Sequence, residues 1–397
     1  MPIRRALACR APVLTLVVAL GALTACSGGD DAGPVTVAPP SSAVPSTTAA
    51  PASSTTVATT LPPPPSSATI APASTAAPGQ PGAEVWRVPT GGAIVVAPAV
   101  QGPFVFAGSD DGKVYALEGA TGKALWTATT GGAVSGSPAP AGDLILAGSA
   151  DAKVYAIESL TGNVRWTSDL LGVARGGPAV ADGSVFVGSE PGVLHALSLA
   201  DGTSRWTKEV AAGIGGTPAV GDGRVMVGGE RRRVFAFAST GERDWVLDTI
   251  AAMASPMSVA AADLYAGSGG GELLAITAAT GVPRWRFQVG VPVSAPVAAD
   301  GVVYAGAANG SVYAVDAASG QLRWEYKTGG PVLGAPAVAN GVVYVGSDDL
   351  NLHAIDAATG ALKWTFNTGG AVRAAPGVVD GIVVVPTVTG ELIGLKA

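Results

Sequence analysis

Apolar residues in this chain come in short runs closed by turn residues, and none of the runs keeps a helical spacing. The stretch from Gly92 to Trp126 is the template: a turn, an apolar run ending near Pro98, a Gly turn, FVFAGS, a polar turn, KVYAL, a Thr-Gly turn and a Trp segment. The runs VYAL (114–117), VYAI (154–157), LHAL (194–197), VFAF (234–237), LLAI (273–276), VYAV (312–315), LHAI (352–355) and LIGL (392–395) are too short for helices. Their β-branched and aromatic content fits strands bounded by turns. Pro98, Pro138, Pro178, Pro218, Pro256, Pro296, Pro336 and Pro376 recur in the first run, where a strand edge tolerates proline. The pattern predicts four short antiparallel strands per unit.

The units repeat on a fixed period. All eight tryptophans, Trp86, Trp126, Trp166, Trp206, Trp245, Trp285, Trp324 and Trp364, fall 39 or 40 residues apart. Four strands in about 40 residues is the spacing of a β-propeller blade. Gly122, Gly162, Gly202, Gly241, Gly281, Gly320 and Gly360 each close a Thr-Gly-like turn before a Trp, whereas no such turn is evident before Trp86. The last copy, Pro376 to Ala397, stops where its Trp strand is due. The N-terminal EVWRV (84–88) is therefore expected to complete that copy, giving an all-β, eight-bladed propeller with no open sheet edge and a monomeric state.

The stretches Ala314-x-Asp316-x-x-Ser319-Gly320-x-x-x-Trp324 and Ala354-x-Asp356-x-x-Thr359-Gly360-x-x-x-Trp364 resemble the tryptophan-docking repeat of the PQQ-like, or quinoprotein-type, eight-bladed propellers. The resemblance covers residues 84–397. It implies that fold and two kinds of function, because the family holds both quinone-dependent dehydrogenases and catalytically inert scaffolds such as the lipoprotein BamB. Glu118 and Glu158 stand where Asp is usual, and Ser198, Ala238 and Thr277 lack the carboxylate, so looser locks are expected in those blades.

Arg4, Arg5 and Arg10 precede an apolar run, Ala11–Leu23, too short to span a bilayer, which reads as an export signal. Leu23-Thr24-Ala25-Cys26 resembles a bacterial lipobox, so residues 1–25 are expected to be removed and Cys26 to carry the lipid. The alternative is an ordinary cleavage site with an incidental cysteine. Ser27 to Ala83 form a Pro, Ser, Thr and Ala-rich linker whose only charges are Asp30 and Asp31. Such a composition buries too little apolar surface to order itself, and its reach runs from roughly 40 Å as a coil to about 170 Å fully extended. The expected location is extracytoplasmic, lipid-anchored to the cell membrane, in a cell wall or periplasmic space.

Three of the 23 Lys and Arg lie in the leader, while all 29 Asp and Glu follow it, so the exported chain is acidic. This argues against nucleic acid as a partner. Cys9 and Cys26 are the only cysteines, so no disulfide or thiolate metal site is expected in the propeller. The dehydrogenases that the chain resembles hold their quinone under a vicinal cysteine pair and bind Ca²⁺ through carboxylates and amides. This chain has no such pair and no insertion large enough for a lid, so PQQ, Ca²⁺ and catalysis are disfavoured. His195 and His353 occupy the slot of Tyr115, Tyr155 and Tyr313, and are read as aromatic substitutes inside the sheet. Ser109-Asp110-Asp111-Gly112 and Ser347-Asp348-Asp349-Leu350 could ligate Ca²⁺, but Asp and Gly are also the ordinary residues of tight hairpins.

Topology separates a monotonous face, made of Asp-Gly and Thr-Gly turns, from a variable one. On the variable face the crossovers present Val95, Ser135, Arg175, Gly215, Met253, Val293, Leu333 and Arg373. The run Arg231-Arg232-Arg233 is expected to form a cationic patch with Arg175 there, with Arg373 a further candidate. The expected function is an anchored, non-catalytic scaffold binding an envelope protein or anionic polymer. The alternative is an enzyme or sensor taking a quinone or other small ligand in the central funnel.

Overall fold

The computed structural model describes residues 77–397 apart from 78, 211, 212, 230, 254 and 255. The leader, Cys26 and the linker up to Ala76 lie outside the described residues. Thirty-two described strands form eight four-stranded antiparallel sheets. After β1 (Glu84–Pro89), the first blade is β2 (Ala99–Gln101), β3 (Phe104–Gly108), β4 (Lys113–Glu118) and β5 (Ala124–Thr129), hydrogen-bonded in that order from the innermost strand outward. The prolines do not end the innermost strands. Pro98 and its equivalents lie just before them, where the missing N–H costs no ladder bond.

Burial explains the sequence pattern. The second and third strands of a blade are covered on both sides by neighbouring blades, so Leu144–Ser149 is buried throughout. The outer strand is half exposed, and Val164–Asp169 alternates accordingly. Apolar cores lie between blades: Leu146 and Val154 of blade 2 pack with Val185, Val187 and Leu197 of blade 3. The innermost hairpins turn on residue pairs with positive φ, such as Asp182-Gly183 (50° and 68°), the conformation that Asp-Gly favours at a two-residue β-turn.

The ring closes through the N-terminal strand. β1 pairs antiparallel with Glu391–Lys396, with Arg87 opposite Ile393 and Val88 opposite Leu392. The sheet so completed packs on blade 1, where Val384 and Leu392 meet Val105 and Leu117.

Each tryptophan lies on the glycine turn of the next blade. A Cβ at Gly162 would come within 2.8 Å of the Trp126 ring, and Gly162 has φ +76°, so both space and backbone demand glycine. The indole N–H donates to a carbonyl of the same neighbour: Trp86 to Gly119, Trp126 to Ser159, Trp166 to Leu199, Trp206 to Ser239, Trp245 to Ala278, Trp285 to Ala317 and Trp324 to Ala357. These bonds measure 2.9–3.1 Å whether or not the turn carries a carboxylate. The looser locks expected at Ser198, Ala238 and Thr277 are therefore not found, because the acceptor is a backbone carbonyl. Trp364 docks on Gly82, at φ +82° and four residues before Trp86. The eighth turn, absent from the sequence reading, is thus Pro81-Gly82, and Gly82 N–H donates to Lys396 O at 2.8 Å.

Candidate functional site

The two faces of the ring divide the labour. On one, the Thr-Gly turns serve the tryptophans. On the other, the second hairpin of each blade meets the crossover strand that enters it. In blade 2 the Asp151 carboxylate accepts from Gly131 N–H at 2.9 Å and Lys153 N–H at 3.2 Å, while the Tyr155 hydroxyl donates to Asp151 and accepts from Gly131 at 3.1 Å. Blade 1 repeats this lock with Asp111, Tyr115 and Gly91. Burial works to raise the Asp111 and Asp151 carboxyls, but the hydrogen bonds from the tyrosine and serine hydroxyls and backbone amides outweigh it and hold both below the usual carboxylate range. The tyrosines move the other way, raised by burial and by the neighbouring carboxylate.

Blade 7 builds the same lock with a histidine. Asp349 accepts from Gly329 N–H at 2.8 Å and from His353 Nε2–H at 3.0 Å, and the Tyr326 hydroxyl approaches His353 Nδ1 at 3.0 Å. Burial lowers the His353 pKa despite the attraction of Asp349, which favours the neutral ring, and these two partners set its tautomer. His195 takes the same slot in blade 3, 2.9 Å from Ser189 Oγ, and burial lowers it too. Both histidines thus sit in the tyrosine slot and are hydrogen-bonded within the sheet. Asp111 and Asp349 are engaged by their own loops, Asp348 pairs with Arg373, and among the described residues no cluster of three His, Cys, Asp or Glu gathers.

The crossovers converge on a shallow axial funnel of about 230 Å³. Small residues dominate its wall because the backbones of successive blades touch there: a Cβ at Gly136 would lie 2.5 Å from the Gly176 carbonyl. Arg175 and Arg373 are its charged lining residues. Arg175 pairs with Glu190, and Arg373 with Asp348 at 2.8 Å. Arg231, Arg232 and Arg233 line a different depression, of about 360 Å³, with Phe235, Asp248 and Thr249. The single cationic patch expected from the sequence is thus two features, one at the axis and one on the blade 4 hairpin. Cys26 lies outside the described residues.

A quinone cofactor needs a stacking lid and a cation held by carboxylates or amides. Among the described residues the funnel lining is small and apolar side chains, a few hydroxyls and two paired arginines, with no carboxylate, side-chain amide or aromatic ring, so it does not fit that group.

A ring of eight four-stranded blades, each docked on the next by a tryptophan and varied along one face, defines a PQQ-type propeller. The family model described as outer membrane protein assembly factor BamB matches residues 76–172, 150–290, 252–335 and 329–397, and the chain belongs to that family. No curated protein matches the chain in sequence. Among solved structures it is similar to the computationally designed protein Ika8 (TM-score 0.71, 18% identity, covering 79% of this chain and 99% of the other). BamB from Moraxella catarrhalis (0.68, 19%, 79% and 99%) is another neighbour. So is the quinohemoprotein alcohol dehydrogenase ADHIIG from Pseudomonas putida HK5 (0.70, 16%, 79% and 76%). At these identities the likeness concerns the fold, which scaffold and enzyme share.

Proposed function

We propose that this chain is an exported, lipid-anchored scaffold that presents the variable face of its propeller to an envelope partner and carries out no chemistry. The observation behind this reading is a contrast within the variable face. Polar groups of the Asp-Tyr-Gly locks are spent on internal bonds, whereas the funnel rim and the blade 4 hairpin place arginines and apolar side chains at the surface. Arg175, Arg231, Arg232, Arg233 and Arg373 are the proposed contacts, the lipid on Cys26 holds the ring to the membrane, and the partner is an envelope protein or an anionic polymer.

Three measurements test it. Cys26→Ala is expected to move the chain from the membrane to the soluble fraction, and an unchanged distribution overturns the anchor. Titration with PQQ and Ca²⁺ is expected to leave absorbance and Tm unchanged; a stoichiometric chromophore with a raised Tm overturns the non-catalytic reading. A photo-cross-linker at Arg175 or Arg373 in intact cells is expected to capture a partner, and the absence of any adduct removes the scaffold.

A further inference from the structure

We infer that the depression on the blade 4 hairpin is a docking pocket for a short protein segment in which acidic side chains flank an apolar one. The inference rests on the scaffold reading above and gives its partner a chemistry. It begins with how blade 4 departs from the repeat. The position that holds the lock carboxylate in Asp111, Asp151 and Asp349 is Arg231, and the position of its hydroxyl or imidazole partner, Tyr115, Tyr155 and His353, is Phe235.

Both halves of the lock are replaced together. An arginine and a phenylalanine cannot form the carboxylate–hydroxyl bond that Asp and Tyr make in blades 1 and 2, and among the described residues a depression of about 360 Å³ lies beside them. Blades 5 and 8 also lack the pair, with Gly270 and Leu274 or Thr389 and Ile393, but without a charge. Arg232 occupies the left-handed position (φ 57°) that Gly112 and Gly310 hold elsewhere, and that Ala152 and Leu350 also adopt.

The pocket has two chemistries. Arg233 is neutralised by Asp248 at 2.7 Å, whereas among the described residues neither Arg231 nor Arg232 finds an acidic partner. Phe235 lines the wall and stacks on Phe237, with centroids 6.4 Å apart. Thr249 N–H donates to Arg232 O, which fixes the next crossover against the hairpin, and the following residue, Ile250, is 63% exposed. The same crossover position is glycine in Gly91, Gly131, Gly329 and Gly369 and an equally exposed leucine in Leu171. Two exposed guanidinium groups call for carboxylates, and the Phe235 wall calls for an apolar side chain. A phosphate polymer would use the first feature and leave the second in water, so a protein segment fits better.

The test uses the full-length chain in detergent and three labelled probes read by fluorescence anisotropy. They are a short extended peptide alternating Asp or Glu with Phe or Leu, the same peptide with Ser at every apolar position, and polyphosphate. The amphipathic peptide is expected to bind and the other two to bind ~10-fold more weakly or worse. R231D/F235Y, which restores the lock of blades 1 and 2, is expected to fold with an unchanged or higher Tm and to lose ~10-fold or more in affinity for that peptide. R231E/R232E tests the charge alone and should lose affinity as well.

Failure of the wild type to bind the amphipathic peptide overturns the pocket. So does equal binding of the Ser peptide or polyphosphate, or undiminished binding to R231D/F235Y. Cross-linking from Arg175 and Arg373 is independent of these residues: if it persists while the pocket fails, the scaffold reading stands and only the pocket is lost.

Discussion

A single hydroxyl shows how the variable face is held. The Tyr155 O–H joins Asp151 to Gly131, so Tyr155→Phe should cost about 1–2 kcal/mol in chemical denaturation. The pH dependence follows from the sign of the shift. Asp151 has a folded pKa below its ordinary value, so the stability it supplies is present above that value and is lost as pH falls through the folded one. Tyr155→Phe should therefore flatten the acid limb of the stability curve; a variant that keeps the wild-type limb would show that the hydroxyl does not act on Asp151. The histidines act in a higher window. Burial lowers His195, so the unfolded chain binds the extra proton first and stability is lost as pH falls below about 6.5. His195→Phe is expected to reduce that loss, as read from Tm between neutral and mildly acidic buffer. The lock was only half legible in the sequence. Asp-Gly-type hairpins and a shared Tyr/His slot are visible there, but the third member is the amide of a glycine 20 residues away, and an amide leaves no mark in residue type.

At the scale of the element, the turns and the closing strand are the sensitive parts. Gly162→Ala must place a Cβ against the Trp126 ring from a left-handed backbone, and should cost about 1–3 kcal/mol. Gly102→Ala has positive φ but open space around it, so a smaller loss there separates the ring contact from the backbone. Deleting Glu84–Pro89 should lower Tm and promote self-association, because it uncovers the edge of Glu391–Lys396 and removes the docking of Trp86 on blade 1. An unchanged melt with a monomeric elution profile would contradict the closure. Strands, period and closure were all readable, because a blade buried on both sides writes continuous apolar runs and its tryptophan recurs with it. Pro81-Gly82 escaped notice because it has no Thr before its glycine, although it keeps the four-residue spacing to Trp86.

At the scale of the whole molecule, repetition makes deviation informative. Three blades fill this slot with Asp and a Tyr or His partner, so the Arg-Phe pair of blade 4 stands out as a charged departure from them. The arginines were legible as candidates. Their division between funnel and hairpin was not, because that depends on which crossover each blade turns toward the axis. The central functional claim is that one face meets a partner and the other does not. Photo-cross-linkers placed singly in intact cells at Arg175, Arg231, Leu333 and Arg373 on one face, and at Asp182, Asp222 and Thr161 on the other, measure this directly. The account predicts a common adduct from the first set and none from the second; adducts from both sets alike, or from the Asp-Gly and Thr-Gly turns alone, would contradict it.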